Sequence, residues 1–436
     1  MHAISTRQKE RDKLKKRIFI LGLDGMPYSL MKSLLESNVM PNTKKIVERG
    51  KMKEITSVYP VISSVAWTSY ATGVNPGEHG IYGFVDRTSN PFELFIPTSR
   101  DRKKAPIWKV LSDEGKKVIV INVPITYPVE EVNGKMISCF ICPDIKKGTY
   151  PAELAESLEN MGYIIDPDAW IARSDKQKFF NQIMKALEKR FEVAMNLIEE
   201  DWDYFQLHIM ETDRHMHFFW DSIQDTEHEF HDQTMLFYAK LDQYIGELFE
   251  KLNDNDAVVA LSDHGFCSIK KEVQLNEWLV REGFLKIDED TTDLSKLHSS
   301  SVAYSLLPGR IYINLEGREE KGTVSEADYF QTCEHLKERL LEFKEPETNE
   351  NIIDKVFTRD EVYRGSVTAD APDLIVHPCN GYDLKGFVSS RELFGQSALC
   401  GMHTYENALV VGINFEVDEI QSISDIYNQI LRWVKL

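Results

Sequence analysis

The run RIFILGLDG, Arg17–Gly25, decides the fold class. From Ile18 to Leu23 the residues are apolar or glycine without interruption, and the run stops at an aspartate. A run that short and that uniformly apolar fits a strand covered on both faces, as in parallel sheets. Similar runs return at Lys117–Val123 (KVIVINV), Tyr204–Met210 (YFQLHIM) and Ala257–Leu261 (AVVAL), and Lys53–Val58 reads as a further buried strand. Helical patterns lie between them. In Asn181–Glu200 the residues Ile183, Leu187, Phe191, Ala194 and Ile198 recur at spacings of four, four, three and four. The last segment, Asp425–Leu436, gathers Ile426, Ile430, Trp433 and Val434 on one side. Strands alternating with helices predict an α/β three-layer sandwich around a mainly parallel sheet.

The chain has 436 residues, more than one compact core usually holds, and the rhythm breaks once. Residues 268–371 carry the polar loop Asp288–Ser301, the strand-like Arg310–Leu315 (RIYINL), the charged Gly317–Val324 and a helical pattern from Glu326 to Phe343. We expect this stretch to be an inserted cap that shapes substrate access, on a core formed by residues 17–267 and 372–436. Residues 1–16 are expected to form a basic arm. The apolar run Ile18–Leu23 is too short for a signal peptide, and no window approaches a membrane span, so a cytoplasmic protein without a membrane partner is expected. Lys and Arg number 51 against 70 Asp and Glu, a net charge of −19 that argues against a nucleic-acid polymer as partner. Any phosphate must therefore be met by local positive charge. Of six cysteines, Cys139 and Cys142 form a lone C-x-x-C, which we assign to strand packing and not to a metal.

Residues of the metal-binding type stand just past the strands. Asp24 ends the first. Asp213 and His217 follow the third in ETDRHMHFF, and Asp263 and His264 follow the fourth in SDHGF. His403, in CGMHTYENALVVG, immediately precedes another apolar run. An aspartate after a strand is usually a turn or cap residue, and a lone D-x-x-x-H is commonly an exposed helical pair. Six such residues near strand ends are harder to ascribe to turns, because open α/β sheets bind ligands beyond the carboxyl ends of their strands. Asp and His together suit zinc or manganese.

A second feature is Pro60–Phe84, PVISSVAWTSYATGVNPGEHGIYGF, where two serines lead into a helix-like Ala66–Thr72. A serine there is ordinarily an N-cap. The same place exposes its oxygen to backbone N–H groups and the positive end of the helix, which suits attack on an anionic phosphorus.

The ordered set GLDG, SSVAWTSYATGVNPGEHGIYGF, TDRHMHFFW, SDHGF and the late GMH resembles the alkaline phosphatase superfamily, in particular its type I phosphodiesterase/nucleotide pyrophosphatase branch and phosphohydrolase relatives. The motifs run from Asp24 to His403. The resemblance implies two divalent metal ions, usually zinc, with manganese also compatible. One would be held by Asp213, His217 and His403, the other by Asp24, Asp263 and His264 with the nucleophile oxygen. Ser63, four residues before Trp67, takes the nucleophile position; Ser64 is the alternative. His215 then falls to a supporting or surface place, and His79 to a structural one. Phe218, Phe219 and Trp220 are expected to pack the helix onto the core.

One departure stands out. Relatives of this branch usually carry an asparagine at the place that matches Phe84, so the resemblance names no side chain to hold a phosphate oxygen; the backbone N–H of Ser64 could meet it instead, and no arginine clamp is evident, Arg214 being near in sequence. The implied activity is a metal-dependent phosphodiesterase or nucleotide pyrophosphatase acting on a small phosphorylated substrate through a covalent phospho-serine. A phosphate monoesterase or a phosphotransferase of the same superfamily is the alternative, and a catalytically silent metal-binding scaffold the alternative of another class. A sulfatase is disfavoured because SSVAW lacks the C/S-x-P-x-R segment. An independent-type phosphoglycerate mutase is disfavoured because strand and helix patterns resume too soon after Ser63.

Overall fold

The computed structural model describes residues 16–287, 294, 298–386 and 392–435. Apart from Lys16, the basic arm lies outside these residues, as does part of the loop Asp288–Ser301. The central sheet has eight strands: β1 (Ile18–Leu23), β2 (Lys51–Ile55), β3 (Val118–Ile121), β4 (Gly134–Ile137), β5 (Thr149–Tyr150), β6 (Tyr204–Ile209), β7 (Ala257–Leu261) and β8 (Ala408–Ile413). Their order is β2-β8-β7-β1-β6-β3-β4-β5. The five consecutive strands from β7 to β4 are parallel, and the outer pairings are antiparallel. This is the mainly parallel sheet that the apolar runs predict.

Side chains alternate across each strand, so the sheet feeds two cores. Phe19, Leu21 and Leu23 of β1, with Phe205, Leu207 and Ile209 of β6, pack against α1 (Tyr28–Glu36), α4 (Lys176–Leu197), α5 (Glu211–Gln224) and α6 (His231–Phe249). Ile18 and Ile20, with Tyr204, face α2 (Ser63–Thr72), α3 (Ile107–Asp113) and α7 (Asp425–Lys435). Phe218, Phe219 and Trp220 are buried in the first core. Helix–sheet–helix is the result. Among the described residues no helix is long and apolar enough to cross a membrane.

Two expectations about single strands need correction. β2 is no buried strand: it is an edge, paired only with β8, and of its residues only Ile55 is buried. Its lysines blunt the open edge. Cys139 and Cys142 are buried free thiols, but they lie in the loop after β4 and not in a strand.

A second body carries its own core around Trp278, Tyr304, Tyr312 and Leu336. It is built on a four-stranded sheet in the order Ala303–Leu306, Arg310–Ile313, Leu374–Pro378, Ile353–Thr358, and a three-stranded sheet of Tyr382–Lys385, Lys271–Gln274 and Phe394–Gly395. The expected return to the core at residue 372 therefore comes too early. LIVHP, Leu374–Pro378, has the apolar look of a core strand, yet it pairs antiparallel within this smaller sheet. A hairpin of the main body, Asp86–Ser89 and Phe92–Phe95, ties the two together: Arg87 donates to Glu319 (2.7 Å, both buried) and Arg310 pairs with Asp86.

Candidate active site

The carboxyl ends of β1, β6 and β7 deliver most of the site. The Asp24 N–H extends the β1–β6 ladder by donating to the Ile209 carbonyl (3.0 Å). Gly25 then turns the chain in the left-handed region (φ +68°), which glycine adopts without strain, and its N–H donates to Asp263 Oδ1 (3.0 Å). Asp213 lies in the first turn of α5, and His217 four residues on shares its face. His403 arrives differently. The strand Gly265–Ser268, which follows His264 directly, pairs antiparallel with Gly401–Thr404 and sets Phe266 opposite His403. The His264 and His403 rings stack at 3.6 Å between centroids.

The side chains converge in two groups that share His264. Asp24, Asp263 and His264 present ligand atoms within 4.8 Å of one another, and so do Asp213, His264 and His403. His217 Nε2 completes the second group, 3.3 Å from Asp213 Oδ1 and 3.0 Å from His403 Nε2. All six residues named from the sequence are thus brought together. Ser63 joins them as the first residue of α2: its hydroxyl donates to Asp24 Oδ1 (3.2 Å) and lies 3.3 Å from His264 Nε2. It is not an N-cap, since Ile62 holds that position in extended conformation. The Ser64 hydroxyl is buried with no hydrogen-bond partner, among these groups or elsewhere.

Burial and mutual charge set the protonation. Asp263 is pushed well above the usual carboxylate range, first by burial and then by the charge of Asp24. Burial opposes ionisation of Asp213 too, but the facing His217 and His403 hold it well below that range. His264 is driven well below its ordinary value by burial and then by His403, so its ring is neutral. His217 is raised, burial notwithstanding, by Asp213.

Sequence reasoning missed a supporting layer. Trp67 Nε1 donates to Asp24 Oδ2 (2.9 Å), and Thr212 Oγ1 donates to the Asp24 carbonyl (2.7 Å). His208, buried on β6, has Nε2 3.1 Å from the same Oδ2. Arg214 bonds Asp213 Oδ2 (3.2 Å) and is itself held by both oxygens of Asp166. His215 is neither ligand neighbour nor surface residue. It is buried in an aromatic cage, stacked on Phe237 at 4.5 Å, and burial lowers its pKa to about 3. His79 is buried and hydrogen-bonded to Ser69 and Ile81.

A family model for type I phosphodiesterases/nucleotide pyrophosphatases matches residues 18–405, nearly the whole chain. The chain belongs to that family. Members of the type I phosphodiesterase/nucleotide pyrophosphatase family are phosphoester hydrolases, and solved structures share the fold. Phosphonoacetate hydrolase from Sinorhizobium meliloti 1021, in complex with phosphonoformate, is 16% identical with a TM-score of 0.63, over 96% of each chain. An inactive variant of murine ectonucleotide pyrophosphatase/phosphodiesterase 5, in complex with AMP, is 13% identical with a TM-score of 0.57, over 97% of this chain and 96% of its own. The human counterpart is 13% identical with a TM-score of 0.57, over 97% of this chain and 95% of its own. No curated protein matches the sequence.

The donor set suits the metals this type I phosphodiesterase family implies. His217 Nδ1 and His264 Nδ1 sit on the carbonyls of Gly401 (2.9 Å) and Gly265 (3.1 Å), where only an N–H is favourable. That leaves a bare Nε2 on the neutral His264, facing Asp263 Oδ2 at 3.3 Å and Asp24 Oδ1 at 3.6 Å. Lone pairs that face one another this closely need a cation or a shared proton between them, and a divalent ion would take the place of the proton that burial otherwise favours on Asp263. Asp263 Oδ2, buried and without a hydrogen-bond partner, points to the same need.

Proposed function

We propose that this chain is a two-metal phosphodiesterase with Ser63 as nucleophile, the metals being zinc or manganese. The observation that carries the proposal is the place of the Ser63 hydroxyl, at the first turn of α2 and within 3.3 Å of both Asp24 and His264. Divalent ions held by Asp24, Asp263, His264 and by Asp213, His217, His403 would make that hydroxyl acidic and offset charge on the leaving oxygen. Ser63 Oγ then bonds to phosphorus as the bond to the leaving alcohol breaks in line. Water cleaves the resulting phosphoserine diester, returning Ser63 and a phosphate monoester.

A cleft of about 270 Å³ opens from His217 and His403 toward the cap. Tyr59, Ile62, Phe84, Leu307, Val376 and Leu384 give it largely apolar walls, which suits an aromatic or aliphatic ester group. Phe84, packed edge-on to Phe140 at 5.4 Å, contributes wall where relatives carry an asparagine. Arg214 is committed to Asp213 and Asp166, so it does not offer the free guanidinium that a monoester dianion would call for. This favours a diester over a monoester. The phosphonoformate and AMP held by the solved relatives are small phosphorus oxyanions, in keeping with a small substrate.

The test pairs metal analysis with cleavage of bis-p-nitrophenyl phosphate and p-nitrophenyl phosphate, before and after chelation. About two ions per chain with chelator-sensitive cleavage favouring the diester is expected. Preference for the monoester would make the chain a phosphatase, and absence of bound metal after reconstitution would end the mechanism.

A further inference from the structure

The strongest unassigned feature lies behind the site, on the side of the sheet that faces α2. Residues 204, 206 and 208 of β6 share that side, and the last of them is a histidine, fully buried, with neither ring nitrogen in a hydrogen bond. A buried polar group left without a partner costs about 1–3 kcal/mol, so its presence needs a reason. His208 Nε2 lies 3.1 Å from Asp24 Oδ2. Trp67 Nε1 reaches the same oxygen at 2.9 Å, and the two rings meet edge to face at 4.5 Å and 83°. The β1 backbone makes room for both. A Cβ on Gly22 would stand 2.7 Å from Trp67 Cη2 and 2.8 Å from His208 Nδ1, so only glycine fits there. The other oxygen, Oδ1, is left to face Ser63 and His264.

We propose that His208 and Trp67 form a paired N–H clamp on Asp24 Oδ2. The clamp fixes the carboxylate so that Oδ1 alone is presented to the ion shared with Asp263 and His264. Both are positioning residues. His208 works as the Nε2–H tautomer, and a small turn of its ring closes the hydrogen bond that Trp67 already makes. Pinning one oxygen makes the aspartate a one-oxygen ligand of defined direction and lowers the ordering cost of binding the ion. The inference rests on the two-metal reading of the site.

The test is zinc binding to the full chain, by competition with a chromophoric chelator, in wild type, His208→Phe and His208→Gln. Phenylalanine keeps the ring against Trp67 and removes the N–H; glutamine restores an N–H at similar reach. A roughly 10- to 100-fold weaker affinity for one of two ions in His208→Phe, recovered in His208→Gln, is expected. A folded His208→Phe chain that binds both ions as the wild type does would overturn the clamp and leave the functional proposal standing. A wild type that binds no ion would remove both. If His208→Phe does not fold, Trp67→Phe carries the same expectation, and unchanged affinity in that folded variant overturns the clamp equally.

Discussion

His79 makes acid stability a sharp test of the packing behind α2. Its Nδ1 accepts the Ile81 N–H (3.2 Å), so the ring hydrogen sits on Nε2, which donates to Ser69 Oγ (2.9 Å) within α2. A second proton would have to enter at Nδ1, against that N–H. Burial, and then the charge of Arg102, accordingly lower the pKa to about 3. The unfolded chain titrates near 6.5. Below that value the unfolded state binds a proton that the native state refuses, so stability is full above pH 6.5 and falls as pH drops toward 3. The slope is about 1.4 kcal/mol per pH unit, or about 2 kcal/mol lost by pH 5. His79→Asn keeps an acceptor for Ile81 and cannot titrate. It should be about 1–3 kcal/mol less stable at pH 7.5, from the lost Ser69 bond and the missing volume. That deficit should shrink by about 2 kcal/mol at pH 5. Urea unfolding of both proteins at pH 7.5, 6 and 5 measures it, and the titration of the site histidines, common to both, cancels in the difference. Parallel stability curves would refute the argument.

Three further outcomes follow from the geometry. Ser63→Ala should lose roughly a thousandfold or more in diester turnover while metal content stays near two per chain; the same loss in Ser64→Ala instead would move the nucleophile by one residue. Chelation should lower the unfolding temperature, because the buried Asp24 and Asp263 are then left facing each other. At a metal concentration of a thousand times Kd, each site adds about 4 kcal/mol, so calorimetry with and without zinc resolves it. Gly22→Ala must displace Trp67 or His208 and should cost about 1–3 kcal/mol in urea unfolding, with weakened zinc binding; an unaffected variant would mean that the β1–α2 approach is looser than 2.7 Å indicates.

The fold was legible where one physical effect dominates. Strands covered on both faces are apolar, and β1, β3 and β7 are so throughout, whereas β6 departs only at Gln206 and His208. The pattern failed at both kinds of margin. β2 is short and carries lysines because it is an edge, a fact set by the absent neighbour and not by its own residues. Leu374–Pro378 has the composition of a core strand and serves the smaller body, because which sheet a strand joins depends on partners far away in sequence. The candidate ligands were legible for a related reason. Asp24, Asp263 and His264 each break an apolar run at its carboxyl end, where a charged group has no packing reason to be.

The layer behind them was not found, although a signal was present. In YFQLHI, Phe205, Leu207 and Ile209 face one core, whereas Tyr204, Gln206 and His208 take the opposite side. On a strand with one wet face, that alternation would be ordinary. Here α2 covers the second side: Tyr204 Oη meets Tyr70 Oη at 3.0 Å and donates to Gln206 Oε1 at 2.5 Å. A polar residue on the covered face of a parallel strand must be matched by a partner or must hold one in place. The two demands differ along β6. Tyr204 and the Gln206 amide oxygen satisfy each other, far from the rim, although Gln206 Nε2 is left buried without a partner. His208, one step from the carboxyl end and beside Asp24, has no partner except the candidate ligand it adjoins. Polar residues on the covered face therefore point to function only as they approach the end of the strand, and in this chain that criterion selects His208 from the sequence once the side facing α2 is known.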